Sequence, residues 1–170
     1  MRAIILFLLY FPLITWAQNQ RVYLKLFDET GKLIKGDAFM RGFEGNISIL
    51  SFSEGGKNSN QFLFSMNITG ASADLKRAMQ LGIVLKNGLL SVLQMGNSGQ
   101  LVLGNTVFME NVRVINCTEA MGCNGLLSTQ VTLAPAKVGW TYYQTDALGR
   151  TTISRKYGYD NEAGTQWNNF

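Results

Sequence analysis

Residues 44–82, EGNISILSFSEGGKNSNQFLFSMNITGASADLKRAMQLG, decide the fold class of this chain. Two runs of alternating apolar residues flank the connection EGGKNSN, which is rich in turn-forming residues, and this pattern predicts a β-hairpin. In the first run, Ile49 is predicted on one face of the strand, with Leu50 and Phe52 on the other. Phe64 marks the apolar face of the second run.

The hydrophobic period then changes from that of a strand to that of a helix. Ser72 is predicted as the N-cap and Gly82 as the C-terminal stop of one short helix. Leu75, Ala78 and Met79 fall on one face of this helix, so we expect that face to cover one side or one end of a sheet.

The remainder of the chain reads almost entirely as strands. The Asn87-Gly88 pair is either a hairpin turn or a gap before a longer strand. We count about eight or nine short strands and one helix, which favours a small sandwich or barrel. The later runs are QLVL, TVFMENVRVIN, LLSTQVTLA, KVGWTYYQT and TTISRKYGYD.

The N-terminus has the features of an export signal. Arg2 precedes a short apolar run, and small residues precede a predicted cleavage site between Ala17 and Gln18. Residues 1–17 are therefore predicted to be a signal peptide and residues 18–170 a single domain in the periplasm or outside the cell. The alternative is an uncleaved anchor helix, although the run is short for a membrane span.

The two cysteines, Cys117 and Cys123, flank a five-residue segment. In an oxidising compartment this spacing favours a disulfide, and two free thiols are the alternative. A zinc site is disfavoured because the chain has no histidine and no further cysteine.

Composition excludes several functions. A formal net charge of +4 without a basic stripe does not favour nucleic-acid binding. The absence of histidine excludes Ser-His-Asp and Cys-His catalysis, no cofactor motif is present, and we expect a protein that is not an enzyme. A secreted glycan hydrolase with paired carboxylates is kept as the least favoured hypothesis, because its acids could come from distant positions.

Four segments resemble the Hcp family, the tube proteins of bacterial type VI secretion. The order of these motifs carries the resemblance over almost the whole predicted mature chain. The segments are IKGDAFMRGFEGNISILSFSEG (34–55), FLFSMNITGASADLKRAMQLG (62–82), VFMENVRVINCTEAMGCNGLLSTQVTLAPAKVGWTYYQTDALGR (107–150) and KYGYDNEAGTQW (156–167).

The resemblance implies a small antiparallel β-barrel with one helix on its side and no catalytic, cofactor or metal residues. It also implies hexameric rings that stack into a tube, with secretion-machine components or effectors as further partners. Strands with apolar residues on both faces have two explanations: a helix or loop covers the second face, or other subunits do.

The resemblance assigns structural roles to three groups of residues. Ile49, Leu50, Phe52 and Phe64 would form the core hairpin, and Leu75, Ala78 and Met79 would dock the helix. The residues expected to close the barrel are Tyr157, Gly158, Tyr159 and Asp160.

Three features depart from the family pattern. The chain carries a predicted signal peptide, the EGGKNSN loop is short for a ring-stacking contact, and Tyr159 and the cysteine pair are unusual. An exported binding module, monomeric or a small oligomer with the same fold, is therefore the alternative function.

Overall fold

The computed structural model describes residues 20–55, 60–96, 99–121, 125–146 and 148–170. The predicted signal peptide and its cleavage site between Ala17 and Gln18 lie outside the described residues, as does Cys123. These predictions therefore stay predictions.

The described residues form eight strands and one helix. Their bounds are β1 (Arg21–Phe27), β2 (Ile47–Glu54), β3 (Phe62–Asn67), α1 (Gly70–Leu81), β4 (Val84–Met95), β5 (Leu101–Met121), β6 (Leu127–Thr145), β7 (Thr151–Asp160) and β8 (Thr165–Gln166).

Six of these strands close into an antiparallel barrel. The sheet order is β3-β2-β1-β4-β5-β6-β7-β8, and β6 also pairs with β3. That additional pairing closes the barrel and leaves β7 and β8 outside it. The prediction of a mainly β protein with a small barrel and one helix is confirmed. None of the helical residues described here forms a segment with the length and hydropathy needed to cross a bilayer.

Strand β6 is shared between the barrel and an extension that we call the wing, formed by residues 137–145 of β6 together with β7. Residues 128–133 of β6 pair with β3, whereas residues 137–145 pair with β7. Pro135 lies between these two regions, where the missing N–H of proline costs no ladder hydrogen bond. Asn161 fills the gap, because its side-chain Nδ2 donates to the Pro135 oxygen and its main-chain N–H donates to the Ala136 oxygen, both at 2.8 Å. We call this divergence of β3 and β7 the fork.

The N-cap of helix α1 lies three residues before the predicted one. Thr69 is the N-cap, and its main-chain N–H donates to Ser72 Oγ at 3.1 Å, so Ser72 lies inside the first turn. Ser72 Oγ also lies 2.8 Å from Thr129 Oγ1, a buried contact that ties the helix to β6. The predicted stop at Gly82 is confirmed, since this residue caps the helix at φ 64° in the left-handed region.

The helix lies against β5 through the predicted apolar face. Leu75 is fully buried and Ala78 is buried, whereas Met79 is partly buried and packs against the edge of the core. The docking role of the three residues stays a prediction.

A β-bulge corrects the predicted faces of the first hairpin strand. Ile49 pairs with Met66 and Phe52 pairs with Phe64, but the register shifts between positions 49 and 51. The extra residue, Leu50, points outward and is 58% exposed, so it does not belong to the core of the subunit. The same shift returns Phe52 to the inner face, where it packs against the core.

The later strands are longer and fewer than the sequence predicted. β4 runs through Asn87 and Gly88 without a turn or a gap, because Gly88 allows a close approach to the neighbouring strand. A Cβ atom at this glycine would lie 2.6 Å from Leu26 Cδ2. The four runs predicted between residues 100 and 145 merge into the two long strands β5 and β6.

Candidate functional site

Large apolar side chains lie on the outside of the barrel. Leu63 of β3 is 45% exposed and Leu50 of β2 is 58% exposed, and Ile115 lies at a bulge of β5. At the end of the β5–β6 pair, Met121 is register partner of Leu127 and both are more than half exposed. These side chains supply exposed apolar area at separate positions on the outside of the barrel.

Between these positions the outer face carries short polar side chains. Ser51 and Ser65 are cross-strand partners whose hydroxyl oxygens lie 2.6 Å apart. Gln130 and Thr132 line the same shallow surface on β6. The outer face of β2, β3 and β6 is therefore neutral at this point.

The fork opens into a cleft of about 440 Å³ between the barrel and the wing. Phe62 and Val138, both buried, lie on its walls. Trp140 of β6 and Tyr157 of β7 are register partners whose rings stack with centroids 5.6 Å apart and an interplanar angle of 25°. The remaining lining residues are Glu54, Gly55, Asn60, Gln61, Tyr159 and Asn161. We call this feature the fork cleft.

Glu54 is the one carboxylate among the described residues that line the fork cleft. Partial removal of water raises the pKa of Glu54, and a hydrogen bond donated by Trp140 Nε1 to Glu54 Oε2 at 3.3 Å opposes part of that rise. Glu54 forms no ion pair with the described residues. Glu54 is exposed at the rim of the cleft, so water and Trp140 Nε1 solvate its charge.

The residues predicted to close the barrel belong to β7 instead, outside the barrel. The edge of β6 that would receive them is occupied by β3, so β7 pairs farther along the same strand. Tyr157 is 49% exposed in the fork cleft, and Tyr159 packs against the core. Asp160 accepts main-chain N–H groups of the following turn and lies 3.9 Å from Lys137 Nζ.

Gly158 has a packing role on the other face of the wing. A Cβ atom at Gly158 would lie 2.2 Å from the Trp167 main-chain oxygen, and one at its partner Gly139 would lie 2.3 Å from the Phe170 ring. Because the two glycines have no side chains, Trp167 and Phe170 can pack directly against the backbone on this face. Lys156 holds this segment, since its Nζ donates to the Phe170 oxygen at 2.7 Å and lies 4.7 Å from the ring centroid.

Cys117 is buried in β5, and burial raises the pKa of its thiol. Its Sγ lies 3.9 Å from the Ser72 oxygen, beneath the helix. Cys123 is not among the described residues, so the disulfide between them stays a prediction. Within the described ranges, no group of three potential metal ligands comes together.

Sequence reasoning missed Glu54 and Asn161 as site residues. Glu54 occurred within the predicted turn segment EGGKNSN, and nothing in its spacing pairs it with Trp140, 86 positions later. The crowding of Trp140 and Tyr157 in the C-terminal part was the available signal, but strand register is needed to bring them together.

Comparisons with known proteins give a structural match only. No protein-family model matches this sequence, and no curated protein does. A variant of Hcp1 from E. coli EAEC 042 with two introduced tryptophans shares 25% identity at a TM-score of 0.65, over 83% of this chain and 98% of that one. Hcp1 from Salmonella typhimurium shares 18% identity at a TM-score of 0.69, over 87% and 99%.

A third solved structure is described as the secreted protein Hcp3 from Pseudomonas aeruginosa. It shares 16% identity at a TM-score of 0.65, over 83% of this chain and 97% of that one. The resemblance predicted from the sequence is confirmed, because this chain has the Hcp fold over most of its length.

Proposed function

We propose that this Hcp-fold chain is a structural, non-enzymatic protein that is exported and self-associates into hexameric rings or tubes related to the type VI secretion tube. The observation that carries the proposal is the extent of the fold match. The solved Hcp structures are covered over 97–99% of their length, so the shared part is essentially a whole Hcp subunit.

The outer apolar residues support self-association. A closed ring needs a heterologous interface, in which two different surfaces of each subunit meet. Leu50 and Leu63 on the barrel wall and Leu127 at the end of the β5–β6 pair supply apolar area at separate places. Of the two explanations for strands with two apolar faces, contact with other subunits is the one that these exposed side chains favour.

The arrangement of acids supports a non-enzymatic role. Hydrolysis by paired carboxylates needs two acids within about 10 Å across one cleft. Among the described residues lining the fork cleft, Glu54 has no second carboxylate opposite it. Further partners, such as secretion-machine components or effectors, follow from the same proposal.

Mass in solution tests the proposal. We expect residues 18–170 to elute as a particle of about six times the subunit mass, measured by light scattering after gel filtration. A Leu63→Asp variant should reduce this mass, because it places a charge in an apolar contact. A wild-type monomer at high concentration would contradict self-association.

The second candidate is an exported binding module with the same barrel. The fork cleft favours it, because a concave site with stacked aromatic rings and one carboxylate that has no ion-pair partner among the described residues is typical of ligand sites. A monomer that binds through the fork cleft would favour this candidate over the ring.

A further inference from the structure

We propose that the fork cleft binds the guanidinium group of an arginine side chain presented by a partner polypeptide. Three features meet there: the Glu54 carboxylate, the stacked rings of Trp140 and Tyr157, and the Asn161 amide. Among the described residues none of the three has a cationic or hydrogen-bond-donating partner that satisfies it fully, and one planar cation that donates hydrogen bonds would complement all three. This proposal goes beyond self-association and is tested separately from it.

The carboxylate gives the cleft its charge preference. Trp140 Nε1 donates a hydrogen bond to one oxygen of Glu54, which restrains the orientation of the carboxylate, and no cation among the described residues pairs with it. A bound cation would offset the cost of partial desolvation that raises the pKa of Glu54. An anionic ligand would increase that cost.

The aromatic pair gives the cleft its preference for a flat cation. Tyr157 is half exposed, so part of its surface remains open to a ligand next to Trp140. Cations bind over the faces of tryptophan and tyrosine rings, and arginine does so more often than lysine because its guanidinium is planar.

The amide supplies a second hydrogen-bond acceptor. Asn161 Nδ2 donates to the Pro135 oxygen, which fixes the orientation of the side chain. Its Oδ1 is buried and has no partner among the described residues, although buried acceptors are normally satisfied. A guanidinium carries five N–H donors in a fixed fork, so one that binds the Glu54 carboxylate still has donors for this amide oxygen.

The nearest described cations do not already pair with Glu54. Lys137 lies on the face of the wing that points away from the cleft. There its Nζ lies 5.6 Å from the centroid of the Trp167 ring and 3.9 Å from Asp160. Arg155 lies on the same face as Tyr157, opposite Tyr142 in register, and forms no ion pair with Glu54. Within the described ranges, therefore, no side chain of the subunit supplies the cation that we propose for the cleft.

The test is a titration of residues 18–170 with N-acetyl-arginine amide, followed through the indole N–H resonance of Trp140 by NMR. A Trp140→Phe variant assigns that resonance. We expect saturable binding with a Kd on the order of 1–10 mM, the range for one anchored side chain. N-acetyl-citrulline amide has nearly the same shape without the charge, and it should bind at least about tenfold more weakly.

Glu54→Gln is the decisive variant, and Glu29→Gln is its matched control. Glu54→Gln should weaken arginine binding by about tenfold or more, whereas exposed Glu29 lies in the turn after β1 and its replacement should leave the Kd unchanged. Both variants should keep the dispersed spectrum of the folded protein.

Three results would overturn the proposal. They are equal binding of the citrulline and arginine probes, an unchanged Kd in Glu54→Gln, and N-acetyl-lysine amide binding as tightly as arginine. Mass measured on the same samples reports on the ring, so failure of one proposal is distinguishable from failure of the other.

Discussion

Replacement of Leu75 by alanine should be among the most costly single changes in this protein. Leu75 is fully buried in the interface between the helix and the barrel. Removal of its three outer carbon atoms loses about 0.8 kcal/mol of transfer free energy for each. The cavity left behind adds to this, and buried Leu→Ala changes typically cost about 3–5 kcal/mol in total.

Leu81 provides a matched control on the same helix, because it is the same residue type but 66% exposed. We expect Leu81→Ala to change the free energy of unfolding by about 0.5 kcal/mol or less. Urea unfolding followed by circular dichroism measures both variants, and Leu75→Ala should also lower the Tm by about 6–20 °C. Equal free energies of unfolding for the two variants would refute the idea that the helix docks through Leu75.

Gly158→Ala should destabilise the fold by about 1–3 kcal/mol, because its Cβ would lie 2.2 Å from a main-chain oxygen. Gly70→Ala, in the first turn of the helix with nothing within 4 Å, should be neutral or stabilising in the same thermal melts. Burial raises the pKa of Asp37, but hydrogen bonds to its carboxylate outweigh this and lower the pKa below 3.8. This contribution to stability is therefore present above the unfolded-state pKa and is lost as the pH falls through the folded-state pKa. Asp37→Asn should therefore cost more stability at pH 7 than in acid, with the difference shrinking as the pH falls through the folded-state pKa, and an equal cost at all pH values would contradict this. Intact-mass analysis after alkylation of the denatured, unreduced protein should detect no free thiol at Cys117 or Cys123, whereas two alkylated cysteines would disprove the predicted disulfide.

The sequence predicted those parts of the fold that depend on local signals. The helix, its stop at Gly82 and its buried face follow from residue types within a single turn or two. The hairpin of β2 and β3 follows from alternation and turn composition within about 20 residues. Such signals need no knowledge of distant partners.

The sequence could not predict features that depend on pairing between distant segments. The bulge at Leu50 depends on how β2 is held by β3, and alternation alone assigns the wrong face to Phe52. A proline such as Pro135 normally argues against a central strand, but here it lies where β6 changes its pairing partner from β3 to β7. The fork cleft depends on the same change of partners, so its residues could not be grouped from their spacing.

The pairing of β3 with β6 also has a consequence for the order of folding. Phe62 pairs with Leu133, 71 positions later, and Arg21 of β1 pairs with Leu93 of β4, 72 positions later, whereas the hairpin pairs β2–β3, β4–β5 and β5–β6 join segments that are nearer in sequence. Closing so long a loop is entropically costly, and non-local pairings are made slowly. We expect the chain to form its local hairpins first and the closed barrel last. Until then β3 and β6 each expose an open edge, and a newly made chain would remain loose enough to be threaded through a narrow channel.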